Sequence, residues 1–276
     1  MKRLRQDNFK NIRKVFLILI LILSVINVTG CGKKESNVNL LKKIEQRGKL
    51  IVGIKYDAKP FGFVDKDRKV KGYDVDLSKE IAKRLLGDEN AIEFQQVTSA
   101  NRIFSINSGN VDFVAATMTI TPKRQRIIDF SRPYFIAGQA IMVPKNSSIR
   151  YLKDLSGKQV IVVLGTTSEI NIKQLVPDVK ILGFRTYVDA FNALKTGRGD
   201  ALTTDDSILY GILADNPKFK ILKERLTQEP YGLGFKKGED TQYFQENIDM
   251  ILQEISNDGT LRKLNNKWMP AHTSVH

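Results

Sequence analysis

Histidine and cysteine are almost missing from these 276 residues. The two histidines, His272 and His276, stand in the last five positions. The body of the chain therefore has no Ser-His-Asp or Cys-His nucleophile pair and no His-rich zinc site. A single cysteine, Cys31, excludes an intrachain disulfide and a thiolate metal cluster. No cofactor and no metal is expected. Acids are the scarcer charge, 30 against 44 Lys and Arg, for a net +14. Six of the cations (Lys2, Arg3, Arg5, Lys10, Arg13, Lys14) crowd the first thirty residues against one acid, Asp7, so the remainder is only moderately basic. Such a surplus suits nucleic acid, an anionic membrane surface or an acidic small ligand, and does not choose among them. With 42% hydrophobic and 27% charged residues the chain is foldable, and its length allows one large domain or two ordinary ones.

The apolar run from Val15 to Leu23, continued by Ser24-Val25-Ile26, is shorter than the roughly 20 residues a membrane span needs. It fits the apolar region of an export signal. Val28-Thr29-Gly30-Cys31 follows directly and resembles a bacterial lipobox. In such signals the cysteine thiol receives a diacylglyceryl group, and cleavage makes it the first mature residue. The expectation is a signal peptide over 1–30 and a lipidated tether over 31–48, because Gly32 to Asn37 is polar and lacks an apolar period. A lipid on Cys31 would hold the protein at the extracytoplasmic face of a bacterial membrane. That location argues against a nucleic-acid partner.

From Gly48 onward, strand-like apolar runs alternate with helix-period segments, the pattern of an α/β fold with parallel-rich sheets. Leu50-Ile51-Val52-Gly53-Ile54 is the first strand. Asp74 to Leu86 puts Leu77, Ile81, Ala82 and Leu85 on one helical face, with Asp74 and Asp76 at its positive end. The chain also echoes itself. Residues 106–117, with Gly109, Asp112 and Thr117, align without a gap on 194–205, with Gly197, Asp200 and Asp205. Gly48-Lys49 before the first strand is matched by Gly157-Lys158 before Val160-Ile161-Val162-Val163-Leu164. Two similarly built lobes are implied. Parallel α/β sheets present ligands at the carboxyl ends of their strands, where Thr117 and Asp205 hold equivalent places. If those ends face each other, the ligand lies between the lobes.

Gly72-Tyr73-Asp74-Val75-Asp76-Leu77 resembles the signature of the family 3 extracellular solute-binding proteins, polar amino-acid receptors of ATP-driven importers. The resemblance continues through Val111-Asp112, Thr119-Ile120-Thr121-Pro122-Lys123-Arg124, Asp129-Phe130-Ser131 with Pro133-Tyr134, Gly165 to Glu169, and Asp258-Gly259-Thr260-Leu261 through Trp268. It implies a two-lobed, periplasmic-binding-protein-like (type II) fold, closing on its ligand about two hinge crossings. The crossings are expected near Ala137-Gly138 and Tyr231-Gly232, with lobe one as 49–137 plus 232–276 and lobe two as 138–231.

A zwitterionic amino acid needs a fixed cation for its α-carboxylate and a fixed anion for its α-ammonium. The resemblance assigns these to Arg124 and Asp205. Strand alternation turns the neighbouring Asp206 to the other side. Thr117, Thr119, Thr166 and Thr167 offer hydroxyls and backbone groups, although helix capping is an equal use for any one of them. Thr98-Ser99-Ala100-Asn101-Arg102 is similar to a segment of glutamate/aspartate-binding members, and Lys55 stands where that subgroup tends to place a basic residue. Lys55, Ser99 and Arg102 would then receive a side-chain carboxylate. Ala58, where many relatives stack an aromatic ring, leaves room at that wall. Tyr187, at core spacing with Ala190, Phe191 and Leu194, is assigned to the core.

The expectation is a non-enzymatic, monomeric receptor delivering glutamate or aspartate to the permease of an ABC importer. A receptor for glutamine or another polar amino acid, and a surface sensor using the same pocket, are the alternatives.

Overall fold

The computed structural model describes residues 39–269. The expected signal peptide, Cys31 and both histidines lie outside the described residues. The described residues form one compact unit.

In chain order the strands are β1 (Leu50–Ile54), β2 (Asp57–Ala58), β3 (Gly62–Val64), β4 (Val70–Lys71), β5 (Ile92–Gln96), β6 (Phe113–Ala115), β7 (Asp129–Phe130), β8 (Phe135–Ala137), β9 (Gln139–Pro144), β10 (Gln159–Val163), β11 (Lys180–Phe184), β12 (Ala201–Asp205), β13 (Phe219–Ile221), β14 (Glu229–Tyr231) and β15 (Gly234–Phe235). They build two five-stranded sheets with matching orders, β5-β1-β6-β15-β7 and β11-β10-β12-β9-β13. This is the two-lobed, periplasmic-binding-protein-like α/β fold. The chain leaves the first sheet through β8 and returns from the second through β14, and these two crossings pair antiparallel, Ala137 opposite Glu229 and Phe135 opposite Tyr231.

The sheets are mixed but parallel-rich, with one reversed strand in each. β5, β1, β6 and β7 run in one direction, as do β11, β10, β12 and β13, and β15 and β9 alone run against them. Connectivity supplies the reason. β9 and β15 follow directly on a crossing, so each enters its lobe from the side on which the parallel strands end and must run away from it.

The internal echo has a common structural content. Gly109 and Gly197 both turn the chain at φ +73°, a left-handed conformation that favours glycine. One turn later, Asp112 Oδ2 accepts the Ile51 N–H at 2.6 Å, and Asp200 Oδ2 accepts the Gln159 N–H at 2.8 Å. Each aspartate thus pins the start of the neighbouring parallel strand, β1 or β10, against the central one.

Strand alternation buries both faces of each sheet. In β10, Ile161 and Val163 join the main apolar cluster, while Val160 and Val162 join a second one behind the sheet. In β1, Val52 and Ile54 face the main cluster and Ile51 packs against a third.

Residues 39–48 depart from the expected tether. Leu40–Arg47 is a helix, capped by the Asn39 side chain accepting the Lys42 N–H and ended by Gly48 in the left-handed conformation. Leu41 and Ile44 are buried, and the helix packs on the helix Glu239–Asn257. One turn-spaced apolar pair is enough to dock a helix of this length when a tertiary surface receives it.

Candidate functional site

The carboxyl ends of the two sheets meet. Lys55 follows β1, and its buried ammonium donates to Thr117 Oγ1 at 2.7 Å and to the Tyr187 hydroxyl at 3.3 Å. Thr117 follows β6 with φ +48°, a costly conformation for a β-branched residue. It is held there from two sides. Its N–H donates to the buried carboxylate of Asp74 at 3.2 Å, and its carbonyl accepts from Arg102 Nη1 at 3.1 Å. The same Nη1 reaches the Ala116 carbonyl at 2.5 Å. Tyr134 donates to the other Asp74 oxygen at 2.8 Å.

Arg124 comes from the short helix Pro122–Gln125, started by Thr121 as cap and Pro122 at its first position. Its guanidinium donates to the Thr119 carbonyl at 2.8 Å and, across to the other lobe, to the Gly165 carbonyl at 3.1 Å. The Thr119 and Thr167 hydroxyls lie 3.5 Å apart across the same gap. Thr167 donates to Glu229 Oε2 at 2.7 Å. Asp205 closes β12 and accepts the hydroxyl of Tyr231 through Oδ2. Asp206 turns the other way, to the Gly138 N–H and to Arg225.

Of the nine residues singled out from the sequence, the structure ties Lys55, Arg102, Thr117, Thr119, Arg124, Thr167 and Asp205 into this cluster. Ser99 is buried beside it, its carbonyl against Gly165. Thr166 is spent otherwise: its hydroxyl donates to the Val163 carbonyl at 2.7 Å and accepts the Glu169 N–H as the cap of helix Thr167–Leu175. Three polar atoms of the cluster, Ser99 Oγ, Arg102 Nε and Asp205 Oδ1, are buried without a hydrogen-bond partner among the described residues. Such groups are costly unless something pairs with them.

Burial strains the charges. It is the leading cause that lowers Lys55 to a pKa of about 7 and Arg124 to about 9, each helped by the nearby Arg102 charge. Arg102 is lowered for the same reason. Burial, seconded by Glu229, raises Asp205 to about 6, and burial raises Asp74 to about 6. Cations and carboxylates here act on one another at short range, so a dipolar guest with opposite charges at its two ends relieves both.

Sequence reasoning passed over Asp74, Tyr187, Glu229 and Tyr231. Asp74 reads as a helix-start carboxylate, yet its side chain is fully buried against Thr117. Tyr187 has core spacing because its ring is indeed buried, yet its hydroxyl and one ring face meet Lys55. Glu229 and Tyr231 sit on β14, one of the two crossings, and meet the site through Thr167 and Asp205, residues distant in sequence. Among the described residues no three His, Cys, Asp or Glu side chains are placed to hold a metal, and no helix is long and apolar enough to cross a membrane.

Residues 50–271 match the family described as bacterial extracellular solute-binding proteins, family 3. The chain is 43% identical over 240 residues to the glutamine-binding protein of Geobacillus stearothermophilus, covering 81% of this chain and 92% of that one. It is 38% identical to the ABC transporter glutamine-binding protein GlnH of Bacillus subtilis, covering 93% and 97%. The glutamate-binding protein GluB of Corynebacterium efficiens is 31% identical, covering 88% and 85%. Among solved structures, the cysteine-binding protein of Campylobacter jejuni superposes with a TM-score of 0.81 at 35% identity, covering 85% of this chain and 94% of that one.

Proposed function

The chain belongs to family 3 of the bacterial extracellular solute-binding proteins, and we propose that it is the receptor that closes on L-glutamine and delivers it to an ABC importer. The observation that carries this is the buried cluster with its unpartnered atoms. Arg124 takes the α-carboxylate in bidentate fashion, and Asp205 Oδ1 takes the α-ammonium. Thr117 and Thr119 supply further polar contacts. Arg102 Nε–H and the Ser99 hydroxyl are the donors for the side-chain carbonyl. Three buried cations, Lys55, Arg102 and Arg124, face three buried carboxylates, Asp74, Asp205 and Glu229. A cluster whose formal charges cancel favours a guest of zero net charge, because an extra buried charge would lack a counter-ion. The relatives named for glutamine, at 43% and 38% identity, support the same choice over the glutamate-binding one at 31%.

A second reading, glutamate or aspartate, has a specific observation in its favour: Lys55 and Arg102 stand side by side, and the nearest hydrogen-bond partners of Lys55 are neutral hydroxyls. A side-chain carboxylate would give Lys55 a directly bonded counter-charge in place of the more distant Asp57, Asp205 and Asp74. Under either reading lobes 49–137 plus 232–276 and 138–231 rotate about the paired crossings, and a lipid on Cys31 keeps the receptor at the membrane that holds its permease. Thr167, at the start of its helix, serves the carboxylate end, while Thr166 holds that helix start in place as its cap.

Titration calorimetry of the purified protein against glutamine, glutamate, aspartate, arginine and histidine at pH 7.5 tests the proposal. Glutamine is expected to bind at micromolar Kd or tighter, about −8 kcal/mol or better. Two or three charge-assisted contacts of roughly 1.5–3 kcal/mol each supply most of that. Absence of heat with all five contradicts it.

A further inference from the structure

One set of contacts between the lobes lies beside the ligand cluster, not in it. Asp57 Oδ2, in β2 of the first lobe, accepts the Tyr187 N–H at 2.7 Å. Tyr187 is the first residue of the second-lobe helix Tyr187–Lys195, whose own cap, Thr186, satisfies the N–H of Asp189 instead. A helix start leaves several N–H groups unpaired and carries partial positive charge, so a carboxylate arriving from the other lobe is a cap that exists only when the lobes are together. Two residues on, Lys59 pairs with Asp215 of the second lobe at 2.7 Å. Between them the backbones touch: a Cβ on Gly211 would sit 2.3 Å from the Lys59 carbonyl oxygen. The same capped residue turns its hydroxyl to Lys55 at 3.3 Å, with the Lys55 ammonium 4.8 Å from its ring centre.

We infer that Asp57 is a positioning residue of the site: with Lys59 and Gly211 it forms a closing seam that stabilises the shut lobes and seats Tyr187 on Lys55 without itself touching the ligand. A ligand bound between two lobes leaves only when they part. Each seam contact is made in the closed state and exchanged for water in the open one, which is the differential free energy that a conformational equilibrium requires. Weakening the seam lowers the fraction of closed protein and therefore the apparent affinity for every ligand by one common factor.

The affinity part of this rests on the receptor reading above; the closure part does not. The test compares wild type with Asp57→Ala, Lys59→Ala and Gly211→Val by calorimetry, stopped-flow dissociation and small-angle X-ray scattering without added amino acid. Asp57→Ala is expected to raise the Kd for glutamine, and for any other amino acid that binds, by the same roughly tenfold factor, mostly through faster dissociation. Lys59→Ala, at an exposed pair, gives a smaller loss. Gly211→Val gives the largest, with a radius of gyration above wild type. Wild-type Kd, dissociation rate and radius of gyration in both Asp57→Ala and Gly211→Val would overturn the inference, as would a loss confined to one ligand. If Asp57→Ala fails to fold, Lys59→Ala and Gly211→Val decide on the same readouts. If wild type binds no amino acid, the receptor reading fails, and the scattering comparison still decides whether the seam holds the lobes shut.

Discussion

Asp205→Asn separates what a buried carboxylate costs from what it does. Burial and the neighbouring Glu229 raise this group from 3.8 to about 6. At about 1.4 kcal/mol per pKa unit, the ionised form at neutral pH carries on the order of 3 kcal/mol of penalty. The sign is that of a raised carboxyl pKa: its favourable share of stability is complete below the unfolded value near 4 and is lost as pH rises through about 6. Asparagine keeps the volume and an oxygen for the Tyr231 hydroxyl, and never ionises. Its new amide hydrogens need acceptors, so the expected net gain for the ligand-free protein at pH 7.5 is about 1–2 kcal/mol, a rise in Tm of a few degrees. At pH 4.5, where the wild-type carboxyl is protonated, that advantage disappears. Binding moves the opposite way. Losing a charge-assisted bond to the α-ammonium costs about 1.5–3 kcal/mol, so Kd rises roughly tenfold to 150-fold. Scanning calorimetry at the two pH values and titration with glutamine read both effects. An Asn variant that is less stable at pH 7.5, or that binds glutamine as tightly as wild type, refutes the reasoning.

Arg124→Ala is expected to abolish amino-acid binding in calorimetry, with Kd beyond millimolar, since the other guanidinium of the cluster, Arg102, is committed through Nη1 to the Ala116 and Thr117 carbonyls. Arg102→Ala should weaken glutamate more than glutamine; equal losses would remove the acidic-ligand reading. Affinity for glutamine, measured from pH 5 to 8, should be flat above neutrality and fall as pH drops through about 6, where Asp205 takes up its proton. Affinity for glutamate should also fall as pH rises through about 7, where Lys55 loses its charge. Ile44→Ala should lower stability by about 2–4 kcal/mol in urea denaturation, because that side chain is fully buried; a residue in a free tether would change it by less than 0.5.

The architecture was readable wherever it rests on local grammar. The Gly109/Asp112 and Gly197/Asp200 echo marked the central strands of both sheets because each turn needs a left-handed glycine and each aspartate caps a strand start. Alternation separated Asp205, facing Tyr231, from Asp206, facing Gly138 and Arg225. What escaped depends on contacts distant in sequence. The helix Leu40–Arg47 exists by docking on the helix Glu239–Asn257. The one reversed strand of each sheet, β15 or β9, follows from where the crossings enter. Tyr187 carries a core face and a polar tip on one side chain, so its periodicity reported only the ring. Thr166, one threonine among four, went to capping, a choice made by the Val163 carbonyl beneath it. Ligand identity is the least legible, because Lys55 and Arg102 suit a side-chain carboxylate whereas Asp74 and Glu229, buried in the same cluster, offset their charge.

The central claim is that Arg124 and Asp205, brought from opposite lobes, grip the two charged ends of one amino acid. A crystal structure of the protein grown with L-glutamine tests it most directly. The account predicts the α-carboxylate in a two-pronged contact with Arg124 and the α-ammonium on Asp205 Oδ1, each within hydrogen-bonding distance. An amino acid seated away from either residue, or bound with its α-carboxylate toward Lys55 and Arg102, contradicts it.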